Sequence, residues 1–174
     1  MCGIVAYVGP RDSADLIMAG LKRLEYRGYD SAGIAILDRE GRLDTRKRAG
    51  KLGALAEELV QHPIGDGGTG LGHTRWATHG GPTDRNAHPH LSEDGRLAVI
   101  HNGIIENFAE LKAELVADGV VFRSETDTEV AAHLLARAYR RSGDLTEAFR
   151  DVVRRLRGAF TLLAVHQDEP GVVV

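Results

Sequence analysis

The one cysteine of this 174-residue chain is its second residue, and that position points to chemistry. A single cysteine cannot form an internal disulfide, so its place is explained by reactivity or by burial. If Met1 is removed, Cys2 carries a thiol and a free α-amine, with unperturbed pKa values of about 8.5 and about 7.7–8.0. The neutral amine can then take the thiol proton, directly or through one water. The alternative is a small apolar side chain that opens a buried strand.

Acyl transfer also needs hydrogen-bond donors for an oxyanion, and Asn102-Gly103 is a candidate pair. The side-chain amide of Asn102 and the backbone N–H of Gly103 can both point at a developing negative charge. The same dipeptide is a strong signal for a two-residue hairpin turn. The residues that follow lead into a predicted helix and not into a returning strand, so both interpretations stay open on this pattern.

Two charged residues are candidates for binding the charged groups of a substrate. Arg75 ends a predicted strand, and its guanidinium can bind a carboxylate through two parallel hydrogen bonds. Its alternative role is a surface salt bridge. Asp127 can pair with a ligand ammonium, although the helix dipole also favours a carboxylate in the first turn of a helix.

The sequence predicts neither a metal site nor a cofactor. Eight histidines are present, four of them between His73 and His90, but no HExxH motif and no second cysteine accompany them. Residues 65–70 match G-x-G-x-x-G, yet they follow a predicted helix and precede a strand, the reverse of the order in a dinucleotide site.

The elements that must position these residues are strands joined mainly by hairpins and loops, with paired helices. Apolar runs predict strands at residues 2–8, 32–37, 43–48, 71–76, 97–101, 120–122 and 158–166. Helical periodicity and capping signals predict helices at residues 13–25, 52–60, 106–117, 127–141 and 144–156. Strands and helices do not alternate regularly, so a parallel doubly wound sheet is not expected. We expect an α+β fold of packed antiparallel sheets with helices outside.

Composition and charge exclude several classes. The chain is 43% hydrophobic and 27% charged, which is typical of one globular domain. A net charge of −3 gives no sign of the basic surface that binds nucleic acid. No apolar run approaches the ~18 residues of a membrane helix, and the start lacks the pattern of a signal peptide. We therefore expect a cytoplasmic protein with no nucleic-acid or membrane partner.

Five sequence blocks resemble the N-terminal glutaminase domain of the class II glutamine amidotransferases. They are MCGIV at residues 1–5, YRGYDSAG at 26–33, HTRWATHG at 73–80, HNGIIEN at 101–107 and SETDTE at 124–129. The blocks occur in family order, and the last helices and strand also fit. Their variants are similar to the branch whose members use ammonia to convert fructose 6-phosphate into glucosamine 6-phosphate.

The resemblance implies an N-terminal-nucleophile hydrolase fold, an αββα sandwich of two stacked antiparallel sheets between helix layers. It also implies that Cys2 is the nucleophile and its α-amine the base. Asn102 and Gly103 would form the oxyanion hole. Arg75 would bind the α-carboxylate of L-glutamine, and Asp127 would bind its α-amine.

The resemblance implies supporting roles as well. Trp76 would lie on a loop of about residues 74–82 that closes over glutamine, with Thr78 and His79 lining the glutamine site. Arg27 would stand near Cys2 and support the nucleophile. A further block, residues 86–90, matches the family, but no role follows for its histidine, His88.

The resemblance implies that glutamine is hydrolysed to glutamate and ammonia. We expect residues 1–174 to be a glutaminase domain that continues past Val174, without the sugar-isomerising domains that accept ammonia and fructose 6-phosphate. The full-length enzyme would be a homo-oligomer. Two alternatives stay open: a glutamine-binding module without catalysis, and the glutaminase domain of another class II branch.

Overall fold

The computed structural model describes residues 2–174 of the chain. In this range the chain forms seven strands and five helices. The strands are β1 (Gly3–Val8), β2 (Ser31–Leu37), β3 (Leu43–Ala49), β4 (Thr69–Arg75), β5 (His90–Leu91), β6 (Leu97–Gly103) and β7 (Phe160–His166). The helices are α1 (Ser13–Leu24), α2 (Leu52–Gln61), α3 (Phe108–Ala117), α4 (Asp127–Ser142) and α5 (Leu145–Val153).

The strands form two antiparallel sheets. The first has the order β1-β4-β2-β3 and the second the order β5-β6-β7. Strand β1 lies at an edge and pairs with β4, in a register that sets Gly3 opposite Thr74. This long-range pairing brings the start of the chain to the end of β4.

Alternation along the strands creates the layers. In β2, Ile34 and Ile36 pack toward α1 and α2, whereas Ala35 and Leu37 pack in a core shared with β6 and β7. Since successive side chains of a strand point to opposite faces, β2 contacts helices on one face and the second sheet on the other. The uninterrupted apolar run of β2 is explained by burial on both faces.

The second sheet repeats this arrangement. Leu97 and Val99 of β6 pack against α4 residues such as Val130 and Leu134, whereas Ala98 belongs to the core between the sheets. The layer order is therefore helices, sheet, sheet, helices. The predicted α+β fold with two stacked antiparallel sheets is confirmed.

Most predicted elements are observed with small shifts of their boundaries, and the differences lie in loops. The strand predicted at residues 120–122 is wrong: these residues connect α3 to α4, and Val120 N–H closes the end of α3 by donating to Leu115 O. Residues 171–174 form no strand, although Val174 exchanges two hydrogen bonds with Ala164 of β7. Within residues 2–174, no helix is long and apolar enough to cross a bilayer.

Candidate active site

A pocket of about 600 Å³ opens where the two sheets end, and it collects nearly all the residues singled out from the sequence. Those that line it are Cys2, Arg27, Arg75, Trp76, Thr78, Asn102, Gly103 and Asp127. His79 is not among the described residues that line this pocket. Residues from five distant segments therefore meet at one cavity.

Strand alternation explains why the key polar residues point inward. Ile4, Leu71 and Ile100 contribute to the core between the sheets. Cys2 and Asn102 each lie two residues from one of these positions, so they belong to the same inner face. The pocket therefore continues the inter-sheet core at the edge where the apolar residues end and polar residues follow.

The sulfur of Cys2 lies against the backbone of Trp76. The backbone N–H of Trp76 donates to Sγ at 3.1 Å, and the thiol lies 3.6 Å from the carbonyl oxygen of the same residue. Cys2 is half-buried, and its own carbonyl accepts a hydrogen bond from Asn102 Nδ2 at 3.0 Å. Cys2 is therefore held at the pocket wall while its sulfur stays within reach of a ligand, so the alternative of a buried apolar opening residue does not describe it.

Asn102 and Gly103 are the last residues of β6, and the hairpin-turn interpretation is wrong. Gly103 pairs with Phe160 of β7, and the chain then leads toward α3. The φ of Gly103 is +119°, and a Cβ there would meet Ala159 O and approach Phe160 Cα to 2.7 Å. Only glycine allows this backbone to pass so close to β7 in this conformation.

Arg75 is buried, so its interpretation as a surface salt bridge is wrong. Its guanidinium donates to the backbone carbonyls of His79, Gly80 (3.3 Å) and Gly81 (3.2 Å). Burial lowers the pKa of the guanidinium, and the nearby acidic groups and Cys2 oppose that shift. Arg75 therefore lines the pocket and also braces the loop that follows β4.

Asp127 stands at the first position of α4, with its carboxylate on the pocket wall. Its Oδ2 accepts the backbone N–H of Ile105 at 2.9 Å, and its Oδ1 lies 3.7 Å from Nδ1 of His101. The residue is 3% exposed. A buried carboxylate held by one oxygen suits an ammonium group at the other.

The start of α4 is held by Glu129 in a way that the sequence pattern did not predict. In a capping box Glu129 would bind the backbone N–H of Thr126. Instead its carboxylate accepts the backbone N–H groups of Arg123 and Ser124, both at 2.7 Å. The imidazole of His133, 3.4 Å from Oε1, together with these backbone bonds and that from the Ser124 hydroxyl, holds the pKa of Glu129 down at about 2, against the effect of burial.

The mouth of the pocket is aromatic. Trp76 is 46% exposed, and its ring meets the edge of Tyr29 at a centroid distance of 5.2 Å. Thr78 lines the pocket on the same loop, whereas the ring of His79 packs against Phe108 with centroids 5.1 Å apart. His79 therefore reaches the site through its backbone carbonyl on Arg75.

A group of buried histidines at the pocket, of which His88 and His101 line it, was missed by the sequence reasoning. His88 Nε2 and His101 Nδ1 both contact Thr128 Oγ1, at 2.7 and 2.9 Å. The rings of His73 and His88 lie 4.2 Å apart between centroids, tilted by 39°, and burial lowers the pKa of all three imidazoles. A histidine in an otherwise buried strand was the available signal, but the sequence does not reveal its partners. The described residues contain no cluster of side chains suited to hold a metal ion.

A family model matches most of the chain. The model for a glutamine amidotransferase domain matches residues 60–174.

Similar proteins share the whole length of the chain. Glutamine–fructose-6-phosphate aminotransferase (isomerizing) of Leifsonia xyli subsp. xyli is 71% identical over 174 residues, and its counterpart in Streptomyces coelicolor is 66% identical over the same length. A Thermus thermophilus protein of that name is 59% identical over 173 residues. The chain spans 28% of the length of these relatives.

Solved structures share the fold. The glutamine phosphoribosylpyrophosphate amidotransferase of B. subtilis superposes with a TM-score of 0.78 and 28% identity, over 96% of this chain and 35% of that one. A structure described as the allosteric regulatory enzyme of purine biosynthesis has the same TM-score, with 30% identity over 96% of this chain and 36% of its own.

Proposed function

The chain belongs to the glutamine amidotransferase domain family, and we propose that it hydrolyses the side-chain amide of L-glutamine to glutamate and ammonia through a thioester on Cys2. One observation carries the proposal: Cys2 and the amide of Asn102 meet at the same pocket, joined by a 3.0 Å hydrogen bond. This bond runs from Asn102 Nδ2 to the backbone carbonyl of Cys2, so it sets a candidate oxyanion donor beside the residue that carries the nucleophilic thiol.

Acylation begins with the α-amine of Cys2 as the base. The amine is free only after Met1 is removed, and Met1 lies outside the described residues. The amine takes the thiol proton, and Sγ bonds to the side-chain carbonyl carbon of glutamine. Asn102 Nδ2 and the N–H of Gly103 stabilise the oxyanion. The carbon–nitrogen bond then breaks, the proton passes to the nitrogen, and ammonia leaves.

Deacylation uses the same groups, with water as the nucleophile and the Cys2 sulfur as the leaving group. A water gives a proton to the α-amine and attacks the thioester carbon, and the oxyanion forms again between Asn102 and Gly103. The carbon–sulfur bond breaks, so that glutamate leaves and the Cys2 thiol is restored. Because every oxyanion in the cycle forms at the same place, the loss of one donor slows both steps.

Substrate binding is assigned to charged groups on opposite elements. Arg75 binds the α-carboxylate of glutamine and Asp127 binds the α-amine, since both side chains line the pocket. Thr78 lines the glutamine site, and the carbonyl of His79 holds Arg75 in place. Trp76 lies over the bound glutamine.

Arg27 supports the nucleophile from the pocket wall beside Cys2. The three segments that bind substrate and nucleophile are therefore the residues before β2, the loop after β4 and the start of α4. Motion of the loop after β4 would admit glutamine and release glutamate.

The chain covers 28% of the length of relatives that are named glutamine–fructose-6-phosphate aminotransferase. In a longer protein of that kind, ammonia made at this site would aminate fructose 6-phosphate and give glucosamine 6-phosphate. The accepting domains would lie outside residues 1–174, and the full-length protein would be a cytoplasmic homo-oligomer. This assignment goes beyond the chain's own pocket, which accounts for the glutaminase step alone.

A mass and labelling experiment tests the proposal. Intact-mass analysis first establishes whether Met1 is removed, and glutamate release from glutamine is then measured on the same sample. A glutamine analogue with an electrophilic side chain should label wild-type Cys2 and leave Cys2→Ala unlabelled. A folded, Met1-free chain that binds glutamine but releases no glutamate would favour the non-catalytic binding module instead.

A further inference from the structure

We infer that His73 is a positioning residue for the glutaminase reaction: it locks the side-chain amide of Asn102 in the orientation that presents N–H to the oxyanion. This inference rests on the proposed function. His73 lies on β4 of the first sheet, behind the pocket and outside its lining. Asn102 lies on β6 of the second sheet, so the contact between them joins the two sheets beside Cys2.

The contacts of His73 Nε2 define the arrangement. This nitrogen lies 2.8 Å from Asn102 Oδ1 and 3.0 Å from the backbone carbonyl oxygen of His101. A carbonyl oxygen can only accept, so Nε2 must carry the hydrogen that it shares between the two oxygens. The opposite end of the Asn102 amide faces the carbonyl oxygen of Cys2 at 3.0 Å.

Two backbone carbonyls therefore determine which way the Asn102 amide points. The carbonyl of Cys2 requires Nδ2 on its side, and the protonated Nε2 of His73, fixed by the carbonyl of His101, requires Oδ1 on the other. A flipped amide would set oxygen against oxygen at Cys2 and N–H against N–H at His73. A primary amide has two hydrogens, so Nδ2 can bind the Cys2 carbonyl and still offer one hydrogen to the oxyanion.

The neutral, Nε2-protonated form of His73 keeps the Asn102 amide in this orientation at neutral pH. The side chain is fully buried, and burial lowers its pKa to about 4. The imidazole is therefore neutral near pH 7 and carries one proton, which the two acceptors place on Nε2. Its Nδ1 has no hydrogen-bond partner among the described residues, so no contact in that part of the chain favours the other tautomer.

The lock matters because an oxyanion donor works best when it is already oriented before the charge forms. With a side chain that cannot donate at position 73, Asn102 Oδ1 loses its partner and the amide gains freedom to rotate. The amide then has to be oriented again in each turnover, which raises the activation free energy. Glutamine binding through Arg75 and Asp127 does not depend on the contact between His73 and Asn102, so its loss should lower kcat and leave KM nearly unchanged.

Steady-state glutaminase kinetics on the chain test the role. His73→Leu should lower kcat by about 10-fold or more, up to the ~10²–10³-fold that loss of one oxyanion donor costs, with KM for glutamine within about twofold. His73→Gln places an N–H near the position of Nε2 and should recover most of kcat. His166→Gln, at a buried strand histidine away from the pocket, is the matched control and should leave kcat unchanged. Equal losses in His73→Leu and His73→Gln would overturn the inference.

A double-mutant cycle separates positioning from general loss of structure. If His73 acts through Asn102, the pair His73→Leu and Asn102→Ala should be no slower than Asn102→Ala alone, within about twofold. Multiplication of the two single losses would show that His73 acts independently of Asn102 and would overturn the inference.

A spectroscopic measurement decides the question without catalysis. In ¹⁵N-histidine-labelled wild-type chain, NMR should find His73 as the Nε2–H tautomer between about pH 6 and 8. The side-chain amide hydrogens of Asn102 should exchange with solvent faster in His73→Leu than in wild type. An Nδ1–H tautomer would overturn the inference. If the wild-type chain releases no glutamate, the proposed function fails, and these two NMR measurements still decide whether His73 orients Asn102.

Discussion

The side-chain amide of Asn102 donates to the backbone carbonyl of Cys2 across 3.0 Å and joins residues that lie 100 positions apart. Asn102 is the next-to-last residue of a strand of the second sheet, and Cys2 precedes the edge strand of the first. The contact therefore ties the proposed nucleophile to its proposed oxyanion donor through the stacking of the two sheets. A change at this junction should affect the chemical step more than glutamine binding.

Replacement of Asn102 by alanine should lower kcat by about 10²–10³-fold while KM for glutamine changes little. The reason is that its N–H would act on the oxyanion, which exists only near the transition state. Glutamate release under steady-state conditions measures both constants. Asn107→Ala, which removes two hydrogen bonds to residues 155 and 157 outside the pocket, should leave both unchanged. Near-normal turnover in Asn102→Ala would remove this residue from the oxyanion hole.

Arg75→Lys should raise KM for glutamine by about 10-fold to 10²-fold, the range expected for a lost hydrogen bond to a charged group. A single ammonium cannot brace three loop carbonyls and bind a carboxylate as well. Hydrogen exchange at residues 76–82 should accelerate in the same variant. Arg85→Lys is the control, since its ion pair with Glu125 is exposed. An unchanged KM together with a loosened loop would restrict Arg75 to bracing.

Gly103→Ala should destabilise the chain by about 1–3 kcal/mol, because the φ of +119° strains any residue with a Cβ and that Cβ would press on the backbone of β7. Urea unfolding measures the loss. Gly53→Ala makes the matched comparison: it lies inside α2 with open space around its Cβ, so it should stabilise the chain by up to about 1 kcal/mol. Equal effects of the two substitutions would contradict this account of Gly103.

Stability should fall as the pH drops below about 6.5. The pKa of His73 is lowered from 6.5 to about 4, and burial also holds the pKa values of His88 and His90 well below 6.5. Between pH 6.5 and 4 the unfolded chain therefore binds protons that the folded chain does not, and unfolding becomes easier as the pH falls. The contribution of His73 is about 1.4 kcal/mol per pH unit within that window.

Urea unfolding at about pH 7 and about pH 5 checks this expectation. In His73→Gln the free energy of unfolding should fall less between the two pH values than in wild type, because the unfolded variant takes up about one proton fewer. Asn107→Ala serves as the control, because it removes no titratable group and should leave the slope unchanged. A wild-type stability that does not change between these pH values would show that the buried histidines do not titrate as proposed.

Much of the fold was predictable because its signals are local. The apolar run of β2 and the turn at residues 40–41 predict the hairpin with β3, and the structure has it. The αL glycine at residue 143 ends α4, and Asp144 begins the next helix by accepting the N–H of Glu147. Residues 120–122 show the limit of this approach, since Val120 and Phe122 pack on the helices of the second sheet without strand pairing, while Val121 is exposed.

The candidate site was predictable in its residue types but not in its contacts. Cys2 and the Asn-Gly pair attract attention through their chemistry alone, and the block resemblance adds the rest. The same sequence does not show that the Arg75 guanidinium donates hydrogen bonds to the loop that follows it, or that the His79 ring packs against Phe108. Such contacts depend on loop geometry, which no short pattern determines.

The amino-acid sequence by itself determined which groups are available: one thiol at the start of the chain, an Asn-Gly pair at a strand end, and a strand in which His73 and Arg75 share a face. Only the tertiary structure decided that they meet. Antiparallel pairing of β1 with β4, and stacking of that sheet on β6, set these groups side by side. The physical reason is that burial of the apolar faces fixes the register of both sheets, and the polar residues at their ends must follow.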